Sequence, residues 1–152
     1  MSSSMLAAIA VLIAALGLAY VIGRMLTLRS GHVREARVGV AADADADADA
    51  DAERNLAELG LSRTGPTILH FSADWCGPCA GVRRVVDQVC ADLPAVAHVE
   101  LDMDANPAAA KRLSVLSLPT TFIFDAQGHQ RHRTSGVPKA ADLRAAVEPL
   151  LA

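Results

Sequence analysis

Cys76-Gly77-Pro78-Cys79 stands between two segments of different period. Before it, "PTILHFSA" (66–73) is a short β-branched and aromatic run, the pattern of a buried strand. After it, "AGVRRVVDQVCADL" places Val82, Val85, Val86, Val89 and Cys90 on one helical stripe and turns Arg83, Arg84 and Asp87 outward. The cysteine pair therefore lies at the entrance to a helix that has to pack on a sheet. The alternation continues along the chain. "VAHVELDMD" reads as a strand, "NPAAAKRLSV" as a helix with Pro107 near its first turn, and "PTTFIFD" as another strand. "GHQRHRTSG" fits a partly exposed strand after a turn at Gly128, and "PKAADLRAAVEPLL" a closing helix with Leu143, Val147 and Leu150 inward. Upstream, "AERNLAELGL" presents Leu56 and Leu59 on a helix ended near Gly60. Residues 53–152 thus predict an α/β domain, with helices packed on a mixed sheet.

The chain has 152 residues and three cysteines, too few for a disulfide framework and odd in number. Cys76 and Cys79 are therefore expected to serve chemistry. At a helix N-terminus, unpaired N–H groups and the helix dipole stabilise a thiolate, which makes Cys76 the expected attacking sulfur. Cys79, one turn further in, is the expected resolving thiol, and Gly77 and Pro78 allow the tight turn between them. A zinc site needs a second ligand pair at suitable spacing. Cys90 is eleven residues on and the histidines are scattered, so no metal and no cofactor are expected; Cys90 itself reads as a core residue.

Charge divides the first half of the chain. Residues 24–37 carry Arg24, Arg29, Arg34 and Arg37 against Glu35, residues 43–53 carry six carboxylates and no base, and residues 54–152 are balanced. Nothing there resembles a nucleic-acid footprint. Met5 to Gly23 is a run of 19 residues without a charge, about 28 Å long as a helix against a bilayer core of roughly 30 Å. It is read as a single-pass membrane helix after a short tail (1–4), in preference to a cleaved signal peptide, because no basic n-region precedes it. The arginines that follow place the C-terminal domain on the cytoplasmic side. Residues 24–52, a basic juxtamembrane stretch and then the alternating "AADADADADADAE", are read as a solvated linker. In a helix, Asp43, Asp47 and Asp51 would repel at i,i+4 spacing.

"FSADWCGPC", followed by "SLPTTFIF" and then "SGVPKAADL", resembles thioredoxin over about residues 53–152. The resemblance implies the thioredoxin fold, a central mixed sheet flanked by helices, and a protein-disulfide reductase acting through Cys76 and Cys79. It also implies a cis Pro119 lying against Cys76, with the backbone of Leu118 pairing with an extended substrate segment. Trp75, Gly77, Pro78, Gly136 and Val137 match positions that border the family's substrate groove. Disulfide-bearing proteins would be the substrates, and a thioredoxin reductase-like protein or a membrane electron donor would supply electrons. The CGPC motif resembles that of the reducing members, whose potential lies near about −270 mV. The alternatives are an extracytoplasmic role in cytochrome maturation or disulfide correction, and a non-catalytic thiol binding module or copper carrier.

The chain departs from the family pattern at two paired positions. Where thioredoxins usually keep a buried Asp there is His70, and where they pair it with a Lys there is Glu100. Either His70, held by Glu100, accepts the proton of Cys79, as an imidazole titrating near neutrality can, or it is a buried neutral histidine. Arg84 stands where the family usually has a kinking Pro, so the helix is expected to run straighter. The family's first strand has only "RVGV" (37–40) as its candidate.

Overall fold

The structure, a computed structural model, describes residues 3–29, 34–35 and 42–152, and the side chains of 11–25 and 47–152. It divides into two units, Met1–Ser30 and Gly31–Ala152. The first is helix α1, Ser3–Arg29, whose described side chains from Val11 to Met25 are all exposed. Among the described residues no helix is long and apolar enough to cross a membrane. The expected span over residues 5–23 is therefore helical without being shown to be a membrane helix.

In the second unit the elements follow the order β1 (Arg34–Glu35), α2 (Ala42–Glu58), β2 (Thr67–Ser72), α3 (Cys79–Asp92), β3 (Ala97–Asp102) and α4 (Pro107–Arg112). Then come β4 (Thr120–Phe124), β5 (Gln130–Ser135), α5 (Ala140–Val147) and a 3-10 turn, Glu148–Leu150, where Pro149 stops the α-helix. The sheet order is β1-β5-β4-β2-β3. The β2/β3 pair is parallel and the other pairs are antiparallel, so the sheet is mixed, as expected. Two-residue alternation sends the side chains of β2 and β4 to two separate cores. Ile68 and Ile123 meet Val82, Val86 and Val89 of α3 and Leu143 and Val147 of α5 on one face. Leu69, Phe71, Phe122 and Phe124 meet Leu56 and Leu59 of α2 and Ala110 of α4 on the other. Both faces are covered, which is why β2 and β4 are buried along their whole length.

The acidic linker is corrected in part. Helix α2 begins at Ala42 and takes in the Asp/Ala repeat, so the last eleven residues of the expected linker, 42–52, are helical. Alanine is the best helix former, a propensity that opposes the i,i+4 repulsion. The C-terminal half is also held by packing. Asn55 Nδ2 donates to Gly128 O at 3.0 Å, and Arg112 donates to both Asn55 and Glu58. Gly128 is required at this contact, since its φ is +91° and a Cβ there would lie 2.4 Å from the carbonyl oxygen of Ala52. The edge strand β1 pairs Arg34 with Arg133 and Glu35 with His132 of β5. The candidate first strand at 37–40 lies outside the described residues. With Arg84 in place of Pro, α3 runs unbroken from Cys79 to Asp92.

Candidate active site

Strand β2 ends at Ser72, and the chain turns through Ala73 to Pro78 before α3 begins at Cys79. The turn is closed by Cys76 N–H donating to Ala73 O at 3.0 Å and Cys79 N–H donating to Cys76 O at 3.2 Å. Cys76 and Cys79 are joined as a disulfide, with Cα atoms 5.5 Å apart. Both are buried, yet Cys76 keeps 8 % exposure against 2 % for Cys79, so an incoming sulfur reaches Cys76 first. Cys79 Sγ lies 3.9 Å from Phe71 O, beneath the turn. Cys90, the third cysteine, is a free, partly buried thiol packed on the α3/α5 core, and burial raises its pKa.

The peptide Leu118–Pro119 is cis, the form the resemblance implies. Leu118 packs on the cluster of Ala73, Cys76 and Cys79, and Pro119 O accepts from Gly136 N–H at 2.9 Å, which ties the loop before β4 to the end of β5. Gly136 has φ +82°. Val137, partly exposed, comes close enough to α3 that a Cβ on Gly81 would sit 3.3 Å from it. Trp75 is 67 % exposed, with its indole N–H donating to Asp104 at 3.3 Å. A large aromatic left this exposed beside the disulfide is unusual for a core filler. Gly77 and Pro78 form the turn itself.

A cleft of about 590 Å³ opens beside the disulfide, and Cys76, Cys79, Arg83 and Glu100 are among its lining residues. Glu100 is held mainly by Arg83, whose Nε and Nη2 donate to its two oxygens at 2.8 and 2.6 Å. These bonds, with smaller help from Ser72, hold its carboxyl down at about 2. His70 is fully buried, with Nε2 3.5 Å from Glu100 Oε1 and no hydrogen-bond partner on that nitrogen. Its other nitrogen, Nδ1, is 3.1 Å from His98 Nε2, and His98 Nδ1 is 3.1 Å from Asp87 Oδ1. Burial lowers the His70 pKa to about 4, only partly offset by the charge of Glu100. The expectation of near-neutral titration is thereby corrected; Glu100 does stand beside His70, while its strong bonds go to Arg83.

The structure thus packs Leu118, the residue before cis Pro119, on Cys76 and Cys79, and sets Glu100 between the dithiol cleft and His70. Sequence reasoning missed Arg83, Asp87 and His98, treating the first two as solvated. The signal was present. Arg83 and Asp87 are spaced i,i+4 on α3, and His98 and Glu100 i,i+2 on β3, with His98 beside Ile68 and Glu100 beside His70 in the parallel register. Among the described residues no group of three or more His, Cys, Asp or Glu side chains is placed to hold a metal ion.

The thioredoxin family model matches residues 49–149. The chain belongs to the thioredoxin family. It is 38 % identical over 90 residues to a thioredoxin-like protein of Synechocystis, covering 59 % of this chain and 85 % of the relative. It is 37 % identical over 87 residues to a thioredoxin of Mycolicibacterium smegmatis, covering 55 % and 78 %. Among solved structures, a mutant thioredoxin from Halobacterium salinarum superposes with a TM-score of 0.56 at 30 % identity, over 64 % of this chain and 83 % of the other. This thioredoxin-family chain is a thiol-disulfide oxidoreductase, and proteins of the family act on disulfide-containing substrates.

Proposed function

We propose that the chain is a membrane-tethered protein-disulfide reductase, with Cys76 as nucleophile and Cys79 as resolving thiol. The observation that carries this reading is the Cys76–Cys79 pair at the start of α3, with Cys76 the more exposed of the two and Leu118 of the cis Leu118–Pro119 peptide packed on the pair. A substrate segment lies in the groove bordered by Trp75, Leu118, Pro119, Gly136 and Val137. The Cys76 thiolate, favoured by the helix N-terminus, attacks one sulfur of the substrate disulfide and the other leaves. Cys79 then loses its proton and attacks Cys76 Sγ, releasing the second substrate sulfur. His70 takes that proton, with Glu100 as the anion that stabilises it. At pH 7 the buried imidazole is neutral, so its free nitrogen can accept, and the negative charge of Glu100 beside it offsets part of the burial that makes it a weak base.

Three features support tethering and orientation. Residues 5–23 carry no charge, helix α1 covers them, and the arginines lie on their C-terminal side. The reading puts the domain in the cytoplasm, with a thioredoxin reductase-like protein as electron donor. Turbidimetric reduction of insulin by dithiothreitol tests the chemistry: the protein accelerates precipitation, and a chain that merely binds thiols leaves the rate unchanged. Replacing His70 by Asn and by Asp tests the proton step, since the pH dependence of disulfide reduction shifts in both variants. An identical profile in both removes His70 from the mechanism.

A further inference from the structure

Four groups lie in a line that the family pattern does not require. Asp87 Oδ1 is 3.1 Å from His98 Nδ1, His98 Nε2 is 3.1 Å from His70 Nδ1, and His70 Nε2 is 3.5 Å from Glu100 Oε1. The two imidazoles stack, with centroids 5.1 Å apart and planes 22° from parallel. Side-chain exposure falls along the line from 61 % at Asp87 to 18 % at His98 and none at His70. Beyond His70 stands Glu100, which lines the dithiol cleft.

Protons can be counted along this line. Each of the three contacts joins two lone-pair-bearing atoms, either ring nitrogens or carboxylate oxygens, so each needs one proton to be attractive. With a single N–H on each ring, two protons serve three contacts. The distances show which contact goes without. Both 3.1 Å contacts have hydrogen-bond length and the 3.5 Å contact does not, and His70 Nε2 has no partner. Assigned in this way, both rings are Nδ1–H tautomers. Asp87 accepts only, so it fixes the proton on His98 Nδ1. The bare Nε2 of His98 then fixes the proton on His70 Nδ1. The bare Nε2 of His70 is left facing Glu100. The other charged groups around His70 are Glu100 on β3 and Arg83 on α3, while its cross-strand neighbour on β4 is the uncharged Thr121. None of them donates to Nε2: Arg83 points its Nε and Nη2 at Glu100, and the Thr121 hydroxyl, like Nε2 itself, has no hydrogen-bond partner.

We propose that Asp87 and His98 are positioning residues that lock His70 in the Nδ1–H tautomer, so that its Nε2 is kept as a proton acceptor towards the dithiol. The inference rests on the reading of Cys79 as the resolving thiol. When Cys79 attacks, its proton passes by way of the cleft to His70 Nε2 and completes the third contact, and the positive charge is shared between two rings lying between two carboxylates. The electron pair of Cys79 sulfur forms the bond to Cys76 Sγ. The Cys76–substrate S–S bond breaks, and the substrate sulfur leaves with its electrons. The proton on Nε2 returns through the cleft to that thiolate, so the step releases and takes up one proton and His70 Nε2 is bare again, as in this disulfide state.

The test is nitrogen-15 NMR of the histidine rings at pH 7, combined with insulin reduction, on the full chain. Both His70 and His98 are expected as Nδ1–H, and an Nε2–H form of His70 overturns the proposal. Asp87→Lys, at an exposed position, offers only donors. It is expected to reverse the line, move the His70 proton to Nε2 and slow reduction at pH 7 about tenfold, less than the roughly 10²–10⁴-fold that a general acid–base group contributes, because His70 itself stays in place. His98→Gln, whose amide both accepts and donates, is expected to keep the Nδ1–H form and a rate within about threefold of the parent, as a group that still fixes the tautomer. A reversed tautomer with an unchanged rate overturns the proposal alone. Absence of turnover in the unmodified protein overturns the reductase reading and this inference with it.

Discussion

An imidazole without solvent exposure folds in its neutral form at a cost that depends on pH. The pKa of His70 is lowered from 6.5 to about 4, so between those values the unfolded chain binds a proton that the folded chain does not. Stability therefore falls as the pH drops from about 6.5 to about 4, by up to roughly 3 kcal/mol, and this contribution is flat below that window. Glu100 acts lower. With its pKa lowered to about 2, it contributes stability that is present above about 4.5 and lost as the pH falls through 2. Urea unfolding of the oxidised protein at pH 7 and pH 4.5 should show the first loss, and His70→Asn should remove most of it. Equal losses in the two proteins would assign the effect to other groups. In the reduced protein, Cys76 should be alkylated before Cys90 at pH 7, because burial raises the Cys90 thiol while the helix N-terminus favours the Cys76 thiolate. Peptide mapping after brief iodoacetamide treatment checks the order.

Helices α2 and α3 behave differently with respect to what their sequences reveal. In α3, the stripe of Val82, Val86 and Val89 is buried as its spacing predicts, because a single face carries all the apolar residues. In α2, the Leu56 and Leu59 end was legible, whereas the Asp/Ala end was not, since a period of two is the pattern of a strand, which Ala and Asp disfavour, and the i,i+4 repulsion of the aspartates argued against a helix. The helix is fixed by a contact 73 residues away, Asn55 to Gly128, that no local pattern announces. Gly128→Ala should therefore cost roughly 2–4 kcal/mol, from the positive φ and from collision with Ala52 and Leu56. A shift in the urea midpoint with an unchanged slope is the expected reading, and a loss below about 0.5 kcal/mol would contradict the contact. The site divides in the same way. Cys76, Cys79 and Pro119 lie in a local motif, while the Asp87–His98–His70 line needs three elements in register and becomes visible only once β2 and β3 are paired.

The chain as a whole joins a redox domain, matched by its family from residue 49 to 149, to a helix of 27 residues whose middle carries no charge. On the proposed reading the two parts have separable tasks, tethering and chemistry. Removal of residues 1–30 should move the protein from the membrane fraction to the soluble fraction while insulin reduction persists within about twofold, because no residue assigned to the site comes from the first unit. Retention at the membrane after the deletion would refute the tether. A membrane-impermeant thiol reagent applied to intact cells should leave Cys76 unlabelled if the domain is cytoplasmic. The chemistry itself is tested most directly by trapping. Cys79→Ser, reduced and mixed with a protein disulfide, should accumulate a mixed disulfide through Cys76 that intact-mass and peptide analysis identify, while Cys76→Ser should form none. A mixed disulfide through Cys90, or none in the Cys79→Ser protein, would contradict the assignment of Cys76 as the nucleophile.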